Sequence, residues 1–261
     1  MTSSKAEIFA GLHRPGAPLL LPNAWDVGSA VAIAAAGAQA IATTSAGVAW
    51  SLGVADGADL GAERVAAVVE RIAGAVGLPV SADIEAGYDS VEATVTAVVQ
   101  AGAVGVNLED RIGAGLLDPA EQAERLAAAR AAADRLGVRV WINARTDVFL
   151  AGSGRLEEVR QRAEVYAAAG ADSLFVPGLV DLAALAELSA GPLPVAVMAW
   201  AGAPTVAEFA AAGVARVSLG AAVAQAAYGL AARATTELLE TGRYDATAGG
   251  LAYDEMNALY K

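Results

Sequence analysis

Residues 101–110 read AGAVGVNLED, and this stretch contains the pattern on which the fold prediction depends. Gly102 follows an Ala-rich segment of helical character, and a mostly apolar run, Gly105–Asp110, comes soon after it. Gly137 and Gly170 occupy the same place between a helical segment and a β-rich run. Glycine often closes a helix because it adopts the left-handed conformation without a steric penalty. The chain is therefore predicted to alternate between helices and strands.

The alternation extends through most of the chain and predicts eight strands. They span Leu19–Ala24, Gln39–Ser45, Leu78–Ile84, Gly105–Asp110, Val138–Thr146, Ser173–Pro177, Leu193–Trp200 and Ala215–Gly220. Eight strand–helix units in about 250 residues are typical of a closed parallel barrel. An open doubly wound sheet is the alternative, but residues 22–28 after the first strand lack its G-x-G-x-x-G turn. We predict an α/β fold of the (β/α)8 TIM type.

The domain organisation follows from the lack of a linker. No Pro/Ser-rich stretch or shift in composition interrupts the alternation, so residues 1–261 are predicted to form a single barrel domain. A short N-terminal segment, residues 1–18, precedes the first strand, and a C-terminal helical tail, residues 221–261, follows the last.

The composition excludes several classes of protein. A hydrophobic fraction of 56% is too high for a disordered chain, and the absence of Cys removes disulfides, thiolate metal sites and cysteine nucleophiles. The net charge of −12 argues against nucleic acid as a partner. No apolar run approaches the ~20 residues of a membrane span, and the N-terminus lacks a signal-peptide pattern. We expect a cytoplasmic protein with no membrane partner.

The carboxyl ends of the predicted strands carry a strongly acidic set of side chains. Functional residues of such barrels lie at these ends and in the loops that follow them. The polar residues there are Asn23, Asp26, Thr44, Ser45, Asp56, Asp83, Glu85, Asn107, Glu109, Asp110, Asn143, Arg145 and Asp147. Side chains two positions apart on a strand share a face, which brings together Asp83 with Glu85 and Asn107 with Glu109.

Convergent carboxylates repel one another unless a cation neutralises them. The chain has no Cys, and its single His13 precedes the first strand, so an oxygen-liking cation is the candidate. Mg²⁺ fits best because it keeps several waters and needs few direct carboxylates, with Mn²⁺ as the alternative. Arg145 would then bind a substrate carboxylate or phosphonate beside the metal.

Each acidic residue alone also has an ordinary structural explanation. Asp118 precedes Pro119 at the start of a helical segment and is predicted to be a helix cap. Asp110 could pair with Arg111 or cap a loop turn, and Asp147 could serve only to orient Arg145. The pattern across several strands nevertheless favours a functional site.

Six short motifs occur in order between about Leu20 and Tyr244. They are TTSAG (43–47), LGVAD (52–56), DIEAGY (83–88), NLED (107–110), NARTD (143–147) and GVARVSLG (213–220). In content and order they resemble the isocitrate lyase/phosphoenolpyruvate mutase superfamily, on its phosphoenolpyruvate mutase-like branch. The resemblance implies a Mg²⁺-dependent barrel enzyme that acts on small 2-oxo or 2-hydroxy acids through an enolate-like species.

The resemblance also implies roles for individual residues. The metal-binding candidates are Asp83, Glu85, Glu109 and Asp56, acting mostly through waters. The substrate-binding candidates are Thr44, Ser45, Ala46, Asn107 and Arg145. The catalytic candidates are Arg145, Glu109 and Asp56. Members of the family usually exchange the last helix between subunits, so a homodimer or homotetramer is expected; the alternative is that residues 221–241 close their own barrel.

The sequence departs from the family in the loop after the fourth strand. Isocitrate-type lyases carry a Lys-Arg-Cys-Gly-His stretch there, and phosphonopyruvate enzymes carry Lys, Thr and Asn. This chain has Arg111–Leu117 without Cys, His or Lys, and arginine is no general base near neutral pH. The sixth strand ends in Val176-Pro177-Gly178, where many relatives have Glu or His.

Three functions stay open on this basis. The first is a C–C bond lyase or decarboxylase on a short 2-oxo acid, and the second is C–P chemistry, as in a phosphonomutase or phosphonopyruvate hydrolase. The third is a 2-oxo-acid binding protein with low turnover, because the loop has no evident acid or base. His13 is expected to be structural or solvated.

Overall fold

The computed structural model describes residues 2–260 and contains one sheet of nine parallel strands. The strands are β1 (Leu19–Leu21), β2 (Asn23–Ala24), β3 (Ile41–Thr43), β4 (Val80–Asp83), β5 (Gly105–Glu109), β8 (Trp141–Arg145), β9 (Ser173–Phe175), β10 (Val195–Met198) and β11 (Arg216–Ser218). Two short antiparallel strands, β6 (Arg111–Ile112) and β7 (Gly115–Leu116), form a separate hairpin.

The sheet closes into a barrel through its first strand, which is split at Pro22. The strand order is β1-β11-β10-β9-β8-β5-β4-β3-β2, with β1 paired to β11 and β2 paired to β3. Because β1 and β2 are two halves of one chain path, the nine strands correspond to the eight predicted ones. The predicted TIM-type α/β barrel is therefore confirmed.

Several predicted strands are longer than the observed ones. The fifth is predicted over Val138–Thr146 and spans Trp141–Arg145, and the second ends at Thr43 because Ser45 already begins a helix. Proline explains some of these ends, since Pro79 and Pro194 have no N–H to donate to a ladder. Their carbonyl groups still accept hydrogen bonds from the neighbouring strands.

Helices cover the outside of the barrel and follow the strands in turn. They are α1 (Thr2–Leu12), α2 (Val27–Ala35), α3 (Ser45–Ser51), α4 (Gly61–Ala75), α5 (Val91–Gln100), α6 (Pro119–Arg135), α7 (Leu156–Ala168), α8 (Leu182–Ser189), α9 (Val206–Ala211), α10 (Ala222–Thr241) and α11 (Tyr253–Ala258). Asp118 caps α6 as predicted, accepting a hydrogen bond from the Ala120 N–H at 2.8 Å. No helix within residues 2–260 is long and apolar enough to cross a bilayer.

The amino-terminal end of the barrel is closed by α1, an element absent from the sequence prediction. Phe9 on this helix is fully buried and packs with Leu19, Leu21 and Ala42 of the barrel interior. Gly105 on β5 makes room for it, because a Cβ there would lie 2.6 Å from Phe9 Cε1. This plug leaves the opposite, carboxyl-terminal mouth as the open end.

The long helix α10 projects from the barrel and is mostly exposed. Ala224 is its only residue classed as buried, while Leu230, Leu238 and Leu239 are exposed. An apolar groove of about 640 Å³ lies on the barrel wall, and no residue of α10 lines it. That groove is lined by exposed apolar side chains, among them Leu20, Val206 and Leu219.

Candidate active site

The mouth of the barrel holds two adjoining cavities of about 510 Å³ and 180 Å³. Ser45, Asp56 and Arg145 line both of them. All nine predicted site residues line one or both: Thr44, Ser45, Ala46, Asp56, Asp83, Glu85, Asn107, Glu109 and Arg145. The structure therefore brings the predicted residues together at one place, with their roles still predictions.

The register of the parallel strands produces this convergence. Asp83 on β4 lies beside Asn107 on β5, and Glu109 lies beside Arg145 on β8. Alternate side chains of a strand share a face, so the inward residues of neighbouring strands form layers. The outermost layer, with Glu109 and Arg145, faces the cavities.

Asp83 is held in place by backbone groups around it. Its own N–H donates to Thr43 Oγ1 at 2.8 Å, and its carboxylate accepts from the N–H groups of Ser45 (3.3 Å) and Glu85 (3.4 Å). The backbone N–H of Ser45, a predicted substrate-binding residue, is thus directed at Asp83. Gly47 lets α3 approach Trp25 closely, because a Cβ at position 47 would lie 2.9 Å from Trp25 Cβ.

Glu85 sits in a strained turn after β4. Glu85 and Tyr88 both have positive φ, at 49° and 50°, which non-glycine residues rarely adopt outside constrained sites. The Tyr88 hydroxyl donates to Glu85 Oε1 at 2.9 Å. Burial first, and then the charges of Asp83 and Asp56, together raise the pKa of Glu85 to about 7, although the Tyr88 hydrogen bond opposes the rise.

Arg145 is oriented by a fully buried carboxylate. Its Nε and Nη2 donate to the two oxygens of Asp147, at 2.6 and 2.9 Å, and its Nη1 lies 2.8 Å from Glu109 Oε2. Asp147 therefore orients Arg145, which is the structural role considered for it from the sequence. Arg145 nevertheless lines both cavities. Burial raises the pKa of Glu109 to about 8, although the neighbouring Arg145 opposes this rise.

Asp110 is a buried structural residue, and the suggested pairing with Arg111 is wrong. Its carboxylate accepts from Arg162 Nη1 at 3.0 Å, from the Tyr166 hydroxyl at 2.8 Å and from the Asp147 N–H at 3.0 Å. Arg111 instead lies 4.0 Å from Asp147 and lines the larger cavity from the β6–β7 hairpin. This hairpin is the loop in which the sequence departs from the family pattern.

The oxygen ligands around the cavities suit a hydrated cation better than one enclosed by protein. Within residues 2–260, no three His, Cys, Asp or Glu side chains form a group that could hold a metal directly. Burial nevertheless raises the pKa values of Asp56, Glu85 and Glu109, so their negative charges are poorly compensated. Mg²⁺ keeps several waters and needs few direct carboxylates, so this set of residues fits it.

Sequence reasoning missed two residues near the mouth. Tyr88 ends the DIEAGY motif, but its contact with Glu85 depends on a turn that no periodicity predicts. Arg216 lies inside the barrel, 1% exposed, and burial lowers its pKa to about 10 while the charge of Asp83 opposes the change. Arg216 therefore stays charged at neutral pH. Its position two residues before Ser218 on a predicted strand was the available signal.

Comparisons with known proteins agree with this geometry. The model of the phosphoenolpyruvate phosphomutase family matches residues 9–239. An uncharacterized protein of Mycobacterium tuberculosis (strain H37Rv) is 41% identical over 218 residues, which are 81% of each chain. The 2-methylisocitrate lyase of Salmonella typhimurium (strain LT2) is 33% identical over 196 residues, 66% of this chain and 65% of that one.

A solved structure gives the same result. A Burkholderia cenocepacia J2315 protein, provisionally assigned as a phosphonomutase, is 44% identical with a TM-score of 0.84, over 93% of this chain and 100% of that one. The expected resemblance is thereby confirmed. This chain belongs to the phosphoenolpyruvate phosphomutase family, within the isocitrate lyase/phosphoenolpyruvate mutase superfamily of enzymes.

Proposed function

We propose that the protein is a Mg²⁺-dependent enzyme that cleaves a C–C bond of a small 2-oxo or 2-hydroxy acid, as a lyase or decarboxylase. One observation carries the proposal: an acidic, oxygen-lined cavity faces an arginine that Asp147 has already oriented. Such a cavity repels an anionic substrate unless a cation enters with it. The 2-methylisocitrate lyase similarity favours C–C chemistry. Action in the cytoplasm is part of the same proposal.

Asp56, Asp83, Glu85 and Glu109 would hold the magnesium ion, mostly through water, with Mn²⁺ as the alternative. When bound, the ion supplies positive charge that stabilises the negative charge developing on the substrate oxygen.

The remaining steps belong to the chain's own residues. Arg145 binds an anionic end of the substrate, and its fork to Asp147 fixes the plane of the guanidinium before the substrate arrives. Thr44, Ser45, Ala46 and Asn107 line the smaller cavity and bind the substrate carboxylate. In the absence of the ion, Glu109, whose pKa lies near 8, holds a proton beside Arg145.

Two other functions have specific support. C–P chemistry is supported by the family model and by the similarity to the Burkholderia protein. A binding protein with low turnover is supported by the β6–β7 hairpin, where Arg111 is the only titratable side chain before Asp118. We rank both below the C–C lyase.

We also propose that the chain forms a homodimer or homotetramer in which α10 packs on a second copy. The proposal is supported by two apolar surfaces of the same chain, the exposed side of α10 and the uncovered groove on the barrel wall, which could cover each other between two copies. Exposed apolar surface of this extent is typical of an interface.

Proton and phosphorus NMR would test the proposed reaction. The purified protein would be incubated with Mg²⁺, with or without EDTA, and with oxaloacetate, 2-methylisocitrate, isocitrate, phosphonopyruvate or 2-oxoglutarate. We expect a metal-dependent product from one of the phosphorus-free acids. Consumption of phosphonopyruvate alone would favour C–P chemistry, whereas line broadening without product would favour the binding protein. A product formed equally in EDTA would contradict the metal assignment.

A further inference from the structure

A charged guanidinium lies inside the barrel, beneath the candidate active site. Arg216 is the largest of the fully buried side chains among the described residues. It lies on β11, beside Leu19 of β1 and Ala196 of β10. Its Nη2 donates to Asn107 Oδ1 at 3.1 Å. Its Nε and Nη1 have no hydrogen-bond partner among the described residues. Burying a guanidinium in this way is costly, and an apolar side chain would fill the same space without that cost.

The one side-chain hydrogen bond of Arg216 to a described residue is part of a chain of hydrogen bonds across the barrel. Asn143 Nδ2 donates to the same Asn107 oxygen at 2.8 Å. Ser173 Oγ donates to Asn143 Oδ1 at 2.5 Å, and Trp141 Nε1 donates to Ser173 Oγ at 2.8 Å. Asn107 Oδ1 therefore accepts two hydrogen bonds from inside the barrel, one from Arg216 and one from Asn143.

This arrangement determines which way the Asn107 amide faces. A guanidinium has only donors, so the atom facing it must be an acceptor, and the Asn107 side chain has one acceptor atom. Its NH2 group must then lie on the other side. Asn107 lines the smaller cavity together with Asp83 and Arg145, which is where that NH2 group is presented. Asn143 does not line it, and both ends of its amide are used inside the barrel.

We propose that Arg216 is a positioning residue that holds the Asn107 amide with its NH2 group toward the cavity, as a hydrogen-bond donor to an oxygen of the bound acid. The identity of the ligand rests on the proposed function, but the orientation does not. An asparagine free to rotate would present either its oxygen or its nitrogen. With the oxygen held by Arg216 and Asn143, the cavity gains a donor suited to an oxyanion.

The first test is NMR of the wild-type protein labelled with ¹⁵N-asparagine. The chain has four asparagines, Asn23, Asn107, Asn143 and Asn257, so the spectrum contains four side-chain NH2 pairs. We expect the Asn107 pair, assigned by its loss in Asn107→Ser, to exchange with water at least about tenfold faster than that of Asn143. Exposed Asn257 supplies the fast reference, and Asn23, which donates to the Thr43 carbonyl at 3.0 Å, supplies a slow one. Slow exchange of the Asn107 pair would overturn the orientation.

The second test compares Arg216→Met with Arg216→Lys. Methionine removes the donor, and we expect the Asn107 NH2 exchange and chemical shifts to change while those of Asn23 do not. We also expect oxalate, titrated with Mg²⁺ by calorimetry, to bind about tenfold more weakly, the scale of one lost hydrogen bond to a charged group. Lysine keeps a donor and should restore most of the affinity. Wild-type NH2 signals in Arg216→Met would overturn the proposal; if that variant does not fold, the wild-type exchange rates decide it alone.

Oxalate separates this inference from the proposed function. Binding that shifts the Asn107 pair and leaves the Asn143 pair unchanged supports both. Binding without any shift of the Asn107 pair overturns the donor role while the proposed function stands. If the wild-type protein does not bind oxalate, the proposed function loses its support, and the exchange rates in the free protein still decide the orientation.

Discussion

The direction of Arg145 depends on a neighbour two residues along the same strand end. Asp147 is fully buried, and it receives two parallel hydrogen bonds from the Arg145 guanidinium. Paired hydrogen bonds of this kind fix the plane of the arginine as well as its position. A lysine at position 145 would keep the positive charge but could not form the two parallel hydrogen bonds that fix the plane of the guanidinium.

We therefore expect Arg145→Lys to fold like the wild-type protein and to lose about 100-fold in kcat/KM, because only the planar fork holds the substrate end. Steady-state kinetics and thermal unfolding would measure the two effects. Arg139→Lys is the matched control, since the Arg139 side chain is 75% exposed and should tolerate the change. Wild-type kinetics in Arg145→Lys would show that Arg145 serves only the fold.

Glu109 offers a second test at the residue scale. Glu109→Gln replaces a carboxyl group that would give up its proton to hold the ion with an amide that has no charged form, and we expect the Mg²⁺ concentration for half-maximal activity to rise about tenfold. Magnesium titration of activity would measure this, with exposed Glu157→Gln as the control. An unchanged magnesium requirement would remove Glu109 from the proposed metal site.

The β6–β7 hairpin is anchored at both ends by one buried cluster. Asp110 precedes the hairpin, and its carboxylate binds Arg162 and Tyr166 of α7. Leu117 follows the hairpin; its N–H donates to the Asp110 carbonyl and its carbonyl accepts from Arg162 Nη1 at 3.0 Å. The cluster therefore holds the stem of the hairpin, whose tip is formed by Gly113 and Ala114 between the paired residues Ile112 and Gly115.

Removal of Arg162 should be strongly destabilising, because it leaves the Asp110 carboxylate buried with one charged partner fewer. We expect Arg162→Met to lower the free energy of unfolding by about 3–5 kcal/mol, and Tyr166→Phe to lower it by about 1–2 kcal/mol. Urea unfolding would measure both. Arg160→Met, on the same helix with a 55% exposed side chain, should change stability little. Equal stability of the Arg160 and Arg162 variants would contradict this role.

The exposed apolar side of α10 provides a test of assembly. We expect the wild-type protein to run at two or four times 26.0 kDa in light scattering, and Leu230→Asp with Leu239→Asp to shift it toward the single-chain mass. Burying two aspartates in an apolar interface is unfavourable. Leu251→Asp, at an exposed leucine outside α10, is the control. A wild-type monomer would contradict the proposed assembly.

The single histidine of the chain, His13, is buried where α1 closes the amino-terminal end of the barrel. His13 stacks on Trp141 with a centroid distance of 4.1 Å, and its Nδ1 lies 2.8 Å from the Phe9 carbonyl oxygen. Burial, and then the charge of Arg216, lower the pKa of His13 to about 3. The expectation of a structural His13 agrees with this burial.

This pKa makes stability depend on pH in a defined direction. The unfolded chain binds a proton at His13 below about pH 6.5, and the folded protein does so only near pH 3. The free energy of unfolding is therefore highest, as far as His13 is concerned, above pH 6.5. As the pH falls from 6.5 toward 3, His13 lowers that free energy by up to roughly 1.4 kcal/mol per pH unit. Urea unfolding between pH 7 and 5 would measure the slope, which should become flatter in His13→Phe. Equal slopes in the two proteins would contradict it.

Local sequence patterns were sufficient to predict the architecture and the convergence of acidic side chains at one end of the barrel. The alternation of helical segments with apolar, β-rich runs predicted all eight strands, because backbone conformation and burial periodicity are short-range properties. Alternation along β4, β5 and β8 then predicted which carboxylates converge, since side chains two apart share a face.

The tertiary structure alone decided which groups contact one another. Arg216 and Asn107 are 109 residues apart, and Asp110 and Tyr166 are 56 apart, so their hydrogen bonds exist only after the barrel closes. The plug formed by α1 depends likewise on a space that Gly105 leaves on a distant strand. The sequence by itself determined the barrel and the acidic residues at its mouth. The hydrogen-bond partners of each side chain, its burial and its pKa were decided only when the barrel closed, because they depend on distances between residues that no local pattern encodes.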